Sequence, residues 1–309
     1  MASNLKGGDY TPITQEELNN QIRDHLLTMV SIEDIEPIQI GPYKFDLYIP
    51  NKKLIVAAYP IEEISFNHNE TTEERRRLQI KAKLCIEQNL HLIQIFSNEW
   101  LHNPKVIKSI LNSKFGLTER IYARKCEITE LDPETYKTFT DENHLQGYRA
   151  ASVRLGLIYN STPIATMSFN KHPKYEWEIT RYASSQNITV SGGAGRLYEH
   201  FKKQHKPTQL LTYADMRYSH TGNVYRQLGF HPANDKKTLP PDSLKGHTGT
   251  NYQYFRDGKI YSRQTFQYHK LSKRLETFDD TITEAANLYN NGYRRLWDSG
   301  HWRFLMTQC

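Results

Sequence analysis

The stretch Val190–Phe230, VSGGAGRLYEHFKKQHKPTQLLTYADMRYSHTGNVYRQLGF, decides the fold of the second half of this 309-residue chain. Its glycine turn (Gly192, Gly193, Gly195) leads into an amphipathic helix predicted over Arg196–Lys203. A short apolar strand and a second helix follow. Glycines at a helix start let backbone N–H groups approach a phosphate, and the helix dipole favours an anion there. The stretch therefore predicts a pyrophosphate cradle, although a glycine turn that opens a helix is also ordinary chain geometry.

The composition is that of a polar globular protein long enough for two domains, with 38% hydrophobic residues and a mean hydropathy of −0.72. No apolar run approaches the ~20 residues that span a bilayer, and the first ten residues lack an apolar signal segment. The three cysteines (Cys85, Cys126, Cys309) form no CxxC pair, which excludes a disulfide framework and a cysteine-rich zinc site. These features predict a cytoplasmic protein without membrane contact.

The basic residues are unevenly distributed. Residues 1–120 contain 14 Lys and Arg against 16 Asp and Glu, whereas residues 121–309 contain 26 against 18. The chain also contains 20 Tyr, 12 Phe and 4 Trp, and basic surfaces with aromatic rings suit nucleic acids, since cations meet phosphates and rings stack on bases. The second half therefore predicts a double-stranded DNA partner, with an ordinary basic surface as the alternative.

The first part of the chain has the order α-β-β-α-β-α, which is typical of a small mixed sheet flanked by helices. Thr14 followed by Glu17 predicts a capping box at the first helix. Apolar runs and turn residues then predict the elements: helix 14–27, strands 38–46 and 53–59, helix 70–89, strand 91–96 and helix 103–111.

Two segments here, YKFDLYIPNKKLIVA (43–57) and LHLIQIFSNEW (90–100), resemble the very-short-patch-repair endonucleases and related phage homing endonucleases of the PD-(D/E)xK superfamily. The resemblance implies a restriction-endonuclease-like fold and a catalytic Mg²⁺ site at Glu17, Asp46 and His68, with Asp46 and His68 as metal ligands. The metal would generate hydroxide and stabilise the pentavalent phosphate. Ala57 and Ala58 stand where the family usually carries a carboxylate or polar residue, so a module that has lost its chemistry is the alternative.

The predicted domains are an N-terminal tail (1–13), a first domain (14–115) and a second domain (120–309). In the second domain the patterns predict strands 153–159, 162–170 and 177–183, a hairpin over 250–271, a helix over 283–293 and a final strand over 294–297.

The order of strands, glycine loop, helix, strand and helix resembles the GNAT acyltransferase fold. This resemblance implies an α/β (α+β) class with a C-terminal GNAT-like domain, and an acyl-CoA whose pyrophosphate binds at Ser191, Gly192, Gly193, Gly195 and Arg196. VYRQLGF resembles the late helix of the family and implies Tyr225 as the acid that protonates the leaving thiolate. A tyrosine with a pKa near 10 suits a thiolate with a pKa near 8.5. The loop departs from the family form because it begins with Ser191.

HLQG, MSFNK, RYAS and TYADMRYS, with the glycine turn, resemble the C-terminal domain of phage homing-endonuclease-like proteins, which is similar to the DNA-modifying protein of phage Mu. This resemblance implies the host cytoplasm and site residues at His144, Asp215, Arg217, Ser219 and Tyr225. Asp215 follows a buried strand, where α/β sheets place ligands, and a helix or turn cap is its alternative role.

Three functions are consistent with these patterns. The whole-chain resemblance favours an endonuclease that cleaves DNA with Mg²⁺, with a basic second domain that holds the DNA at Arg217, Arg256, Lys259 and Arg263. The alternatives are a GNAT-like DNA base-modifying transferase with a vestigial nuclease module, and a non-catalytic DNA-binding or assembly protein.

Overall fold

The computed structural model describes residues 11–233 and 246–307. Up to Phe115 its elements are α1 (Gln15–Leu26), β1 (Glu36–Ile40), β2 (Tyr43–Ile49), β3 (Leu54–Tyr59), α2 (Ile61–Ile64), β4 (Ser65–Phe66), α3 (Thr72–Glu87), β5 (His91–Phe96), α4 (Ser97–His102) and α5 (Pro104–Phe115). Those from Glu119 to His205 are β6 (Glu119–Tyr122), β7 (Glu127–Glu130), α6 (Pro133–Asn143), β8 (Val153–Tyr159), β9 (Thr162–His172), β10 (Glu176–Ser184), β11 (Ile188–Ser191) and α7 (Gly193–His205). The rest are β12 (Gln209–Asp215), α8 (Met216–Ser219), α9 (Asn223–Gln227), β13 (His231–Pro232), β14 (Tyr252–Arg256), β15 (Lys259–Tyr261), α10 (Tyr268–Leu271), α11 (Glu284–Asn290), β16 (Arg294–Trp297) and β17 (His301–Thr307).

The described residues form two compact units, and the predicted mixed α/β class is confirmed. Unit 1 contains the described residues up to Asn98 together with Gly249–Gly300; unit 2 contains the described residues of Glu99–Thr248 and those from His301 onward. These limits differ from the predicted boundaries, because residues 249–300 lie in unit 1. β4 pairs with β16, and β16 pairs with β14, so this late segment completes a sheet of unit 1. Most of the predicted N-terminal tail lies outside the described residues.

Unit 1 contains a four-stranded sheet in the order β1-β2-β3-β5, antiparallel except for the parallel pair of β3 and β5. The predicted capping box of Thr14 and Glu17 is confirmed at the start of α1, which buries Leu18, Ile22 and Leu26. The single strand predicted over 38–46 is wrong: the chain reverses at Gly41, which has φ +56°, so β1 and β2 form a hairpin.

The second sheet of unit 1 has the order β15-β14-β16-β4. Its core is a cluster of buried side chains contributed by Tyr254, Phe266, Leu271, Leu288 and Tyr293. The predicted hairpin over 250–271 is too long, since its second strand ends at Tyr261. The Ser262 hydroxyl accepts a hydrogen bond from the Gln264 N–H and starts a helical turn, which carries Phe266 into this core.

Unit 2 contains a seven-stranded sheet in the order β13-β17-β12-β10-β9-β8-β7. All neighbours are antiparallel except β10 and β12, which α7 connects. On one face the Phe201 ring of α7 stacks on Phe169 of β9 at 3.6 Å. The prediction that Arg294–Trp297 is the final strand is wrong. β17 follows it and pairs with β12 along its whole length, from Gln209 opposite Thr307 to Asp215 opposite His301.

No helix among the described residues is long and apolar enough to cross a membrane.

Candidate functional site

The parallel strands of unit 2 separate partway along their length. β10 and β12 pair only from Trp177 opposite Leu210 to Ile179 opposite Thr212. β10 then continues to Ser184 and β12 to Asp215 without pairing to each other. At this point the register of β10 against β9 shifts between Ile179 and Arg181, and such a bulge bends a strand. The strands therefore leave a gap at their carboxyl ends, which is where α/β sheets place ligands.

The glycine turn lies at the start of α7. Gly192 is the N-cap with φ +77°, a conformation that favours glycine, and no side chain caps the helix. The Tyr182 hydroxyl of β10 lies 3.3 Å from the position that a Cβ at Gly193 would occupy, so the turn lies beside the separated part of that strand. A Cβ at Gly193 would lie 3.1 Å from the Val190 side chain, so Gly193 is needed for close packing. At Gly195 a Cβ would be 3.8 Å from its nearest neighbour, an ordinary contact.

This turn fits a pyrophosphate, because an uncapped first helical turn presents N–H groups at the positive end of the helix dipole. The two flanking residues of the predicted loop make other contacts. Ser191 ends β11 and pairs with Tyr122 of β6. The Arg196 guanidinium donates to the Ala123 carbonyl.

Tyr225 lies on α9, half-buried, with its ring 6.0 Å from Phe230 and 5.8 Å from Phe304. Its hydroxyl lies near the side chain of Thr212, the last residue of β12 that pairs with β10. Burial raises the pKa of Tyr225, and the nearby Thr212 hydroxyl and Arg181 charge only partly offset this. The hydroxyl therefore holds its proton at neutral pH, as the predicted acid requires.

Arg181 follows the bulge of β10, and its Nε donates to the Gly147 carbonyl at 3.0 Å. Burial, together with the nearby charge of Arg149, lowers its pKa. The sequence analysis assigned no role to Arg181. The pattern that could have indicated one is a cation within the strand EWEITRYAS, where Ile179 and Ala183, two residues before and after Arg181, are both buried.

His144 ends α6, and its Nδ1 accepts a hydrogen bond from the Gln146 N–H at 3.1 Å. Burial and the nearby Arg181 charge lower its pKa to about 3, although Asp215 opposes the shift. The imidazole is therefore neutral at pH 7 and too weakly basic to serve as an efficient general base there.

Asp215 belongs to a buried ionic network. It is the N-cap of α8: its carboxylate accepts from the Arg217 N–H at 2.9 Å and from the Arg217 guanidinium at 3.0 Å. The guanidinium also lies 2.9 Å from Glu99, which accepts a hydrogen bond from the Tyr218 hydroxyl at 2.7 Å. Asp215 therefore caps a helix, which is the alternative role that the sequence suggested for it.

The predicted DNA contact of Arg217 conflicts with its burial between two carboxylates. The Oγ of Ser219 is buried without a hydrogen-bond partner among the described residues.

The residues predicted to bind Mg²⁺ in unit 1 make separate contacts. The Glu17 carboxylate accepts from the Thr14 N–H at 2.9 Å, and the His68 ring lies 4.9 Å from Tyr289. Asp46 accepts from the Asn19 amide at 3.3 Å. Within residues 11–233 and 246–307, no group of three His, Cys, Asp or Glu side chains is arranged to hold a metal.

Two amide side chains of α1, Gln15 and Asn19, lie close to Asp46 and β3. Gln15 donates to the Ala58 carbonyl and to the Asn19 side chain, both at 3.0 Å. Ala57 and Ala58 are buried in β3, so this strand adds no second carboxylate to Asp46 at these positions.

The cations predicted to contact DNA in the late hairpin differ in their partners. Arg256 is neutralised by Asp257 and Glu276, each at 3.2 Å. Arg263 is exposed and stacks on the Tyr252 ring at 5.0 Å. Lys259 is half-exposed in β15.

Comparison with solved structures gives a Bacillus subtilis acetyltransferase in complex with CoA, at 11% identity and a TM-score of 0.34, over 60% of this chain and 100% of that one. The ribosomal-protein-S18-alanine N-acetyltransferase of Escherichia coli matches at 11% identity and a TM-score of 0.33, over 59% of this chain and 93% of that one. A GNAT family acetyltransferase from Elizabethkingia anophelis with acetyl-CoA bound matches at 11% identity and a TM-score of 0.33, over 60% of this chain and 99% of that one. No protein-family model and no curated protein sequence matches the chain. Scores of this size carry no weight by themselves, and the function proposed below depends on strand order and site geometry.

Proposed function

We propose that unit 2 binds an acyl-CoA and catalyses acyl transfer, as the GNAT resemblance implies. The observation that carries this proposal is the gap between β10 and β12, together with the glycine turn of α7 beside Tyr182 of β10 and the Tyr225 hydroxyl near Thr212 of β12. A gap at the carboxyl ends of a parallel pair, beside a helix N-terminus, suits a ligand that contains both a pyrophosphate and a reactive group.

The roles of the residues follow from their positions. Backbone N–H groups of Gly193 and Gly195 would hold the pyrophosphate, and bound acyl-CoA would supply a thioester as the activated acyl group. Tyr225 holds a proton on its hydroxyl, which suits the acid required by a departing thiolate. The low pKa of His144 makes it a neutral hydrogen-bonding group rather than the base.

A substitution at Gly195 tests the cradle. Gly195→Asp is expected to weaken CoA binding at least tenfold, because a carboxylate would occupy the phosphate position at the helix N-terminus. The fold should be retained, since a Cβ here makes only ordinary contacts and acids near a helix N-terminus add about 0.3–1 kcal/mol. Isothermal titration with CoA measures the affinity, and thermal unfolding checks the fold.

Gly195→Ala is the matched control, because it adds the Cβ without the charge. It should bind CoA within a fewfold of the unsubstituted protein and gain about 0.5–1 kcal/mol of stability. No CoA binding by the unsubstituted protein, or equal binding by Gly195→Asp, would contradict the proposed site.

We further propose that unit 1 binds double-stranded DNA without cleaving it. The supporting observation is that Arg263 stacks on Tyr252 at 5.0 Å and Arg294 stacks on Tyr289 at 4.2 Å. Neither forms an ion pair with an acidic residue in the described part of the chain. Stacked guanidinium groups with no carboxylate partner are positioned to meet phosphates. Ala57 and Ala58, which stand where the nuclease family usually carries a carboxylate or polar residue, favour this binding role over Mg²⁺-dependent cleavage.

The DNA proposal predicts binding that weakens steeply with salt and no cutting of plasmid DNA in Mg²⁺ or Mn²⁺. Arg263→Ala with Arg294→Ala should flatten the dependence of log K on log[salt] by about 2, since each lost phosphate contact contributes about 0.9. Arg256→Ala is the control, because Asp257 and Glu276 already neutralise that cation. Fluorescence anisotropy across a salt series measures the slope. Cleavage that Asp46→Ala abolishes would establish the nuclease instead.

A further inference from the structure

Arg181 is a half-buried cation without an acidic partner at the start of the gap. Its Nε donates to the Gly147 carbonyl at 3.0 Å and its Nη1 to the Thr180 carbonyl at 2.8 Å. Nη2 has no hydrogen-bond partner among the described residues, and none of their carboxylates lies within ion-pair distance. Two main-chain carbonyls therefore fix the guanidinium while part of its hydrogen-bonding capacity remains unused.

The groups around Arg181 leave one positive charge unbalanced. Glu178 is already bound by Arg149, with nitrogen–oxygen distances of 2.9 and 3.3 Å. His144 is neutral at pH 7, and Tyr136 and Tyr225 hold their protons because burial raises the pKa of each. A cation removed from water without a counter-charge is costly, and a bound anion of single charge would remove that cost.

We propose that Arg181 binds a carboxylate carried by one of the two reacting substrates. This inference rests on the proposed acyl transfer, since it assigns the substrate class of the same site. The guanidinium follows the bulge where β10 separates from β12, and Tyr225 is near enough for the Arg181 charge to act on its pKa. A planar guanidinium forms paired hydrogen bonds with a carboxylate, and the single unbalanced charge matches a monoanion. The carboxylate can belong to the acyl group or to the acceptor.

The first arm of the test concerns the acyl group. The unsubstituted protein is expected to bind succinyl-CoA about 10–100-fold more tightly than acetyl-CoA in isothermal titration, as charge-assisted hydrogen bonds would give. Arg181→Gln keeps a hydrogen-bond donor but loses the charge, so this ratio should fall to about one with acetyl-CoA affinity unchanged. Arg181→Lys keeps the charge and should retain part of the ratio.

Arg154→Gln is the matched control, because Arg154 also lies on a strand of this sheet but is paired with Glu130. It should leave the ratio unchanged.

The second arm concerns the acceptor. With acetyl-CoA as donor, the kcat/KM for a panel of amino acids is compared with that for the corresponding amides, which lack the carboxylate. A preference of at least tenfold for the acids that disappears in Arg181→Gln would place the carboxylate on the acceptor.

The inference is overturned if the unsubstituted protein discriminates in neither arm, or if Arg181→Gln keeps the discrimination. Acetyl-CoA binding that persists in those cases leaves the proposed acyl transfer intact. Failure of every CoA thioester to bind would instead overturn the proposed function itself.

Discussion

Replacing Arg217 with methionine is expected to lower the free energy of unfolding of unit 2 by about 3–5 kcal/mol, which is typical when one partner is removed from a buried ion pair. Arg217 contacts Asp215 at 3.0 Å and Glu99 at 2.9 Å, so its loss leaves two carboxylates without their cation. Methionine fills a similar volume and adds no donor. Urea unfolding followed by circular dichroism measures the change, and hydrogen exchange of the β12 amides assigns it to unit 2.

Lys137→Met provides the control for this prediction. Lys137 lies 2.9 Å from Asp141, but both side chains are exposed, so its removal should cost less than about 1 kcal/mol. A loss of similar size in the two variants would contradict a special role for burial at Arg217.

The Arg217 defect should also depend on pH. Burial opposes ionisation of Asp215, but the charges of Arg217 and His301 outweigh it and the pKa of Asp215 is lowered. A lowered folded-state pKa gives stability that is present above the unfolded pKa of about 3.9 and is lost as the pH falls through the folded value. Without Arg217, burial would raise the pKa of Asp215, so protonation of this carboxylate at low pH would reduce the destabilisation of the variant. The difference in the free energy of unfolding between the unsubstituted protein and the variant should therefore be largest near pH 7 and shrink below about pH 4.

Local signals in the sequence predicted much of the secondary structure correctly. The capping box of Thr14 and Glu17, for example, starts α1 as predicted. These signals work because a cap and its partners lie within four residues of each other. The same locality engages a residue that the nuclease resemblance made catalytic: the Glu17 carboxylate accepts a hydrogen bond from the Thr14 N–H.

The features that could not be predicted from the sequence depend on contacts between residues that are far apart in the chain. β17 pairs with β12, about ninety residues earlier, and β16 pairs with β4 across about 230 residues. The gap beside Arg181 exists because a bulge in β10 coincides with the end of its pairing to β12. Alternation of polar and apolar residues describes one strand at a time, so it specifies neither the neighbouring strand nor the point of separation.

Replacing Tyr225 with phenylalanine is expected to lower kcat for acyl transfer about 10²–10⁴-fold, the contribution typical of a positioned general acid. The affinity for CoA should stay within a fewfold, because the pyrophosphate cradle lies on α7 and not on α9. Phenylalanine keeps the ring contacts with Phe230 and Phe304 and removes only the hydroxyl near Thr212. Steady-state kinetics with a thiol-release assay, beside titration with CoA, separates the two quantities.

Tyr198→Phe is the matched control, because that ring also packs on Phe230, at 5.4 Å, but belongs to α7 and not to α9. It should leave kcat unchanged.

Burial raises the pKa of Tyr225 above its ordinary value near 10, so the acid should remain protonated across pH 6–9. Loss of an acid through deprotonation lowers the rate on the alkaline side only. A fall in kcat below pH 9 that is absent from Tyr225→Phe would therefore show that the hydroxyl loses its proton at a lower pH than expected. Equal kcat values in Tyr225→Phe and Tyr198→Phe would assign the acid to another group.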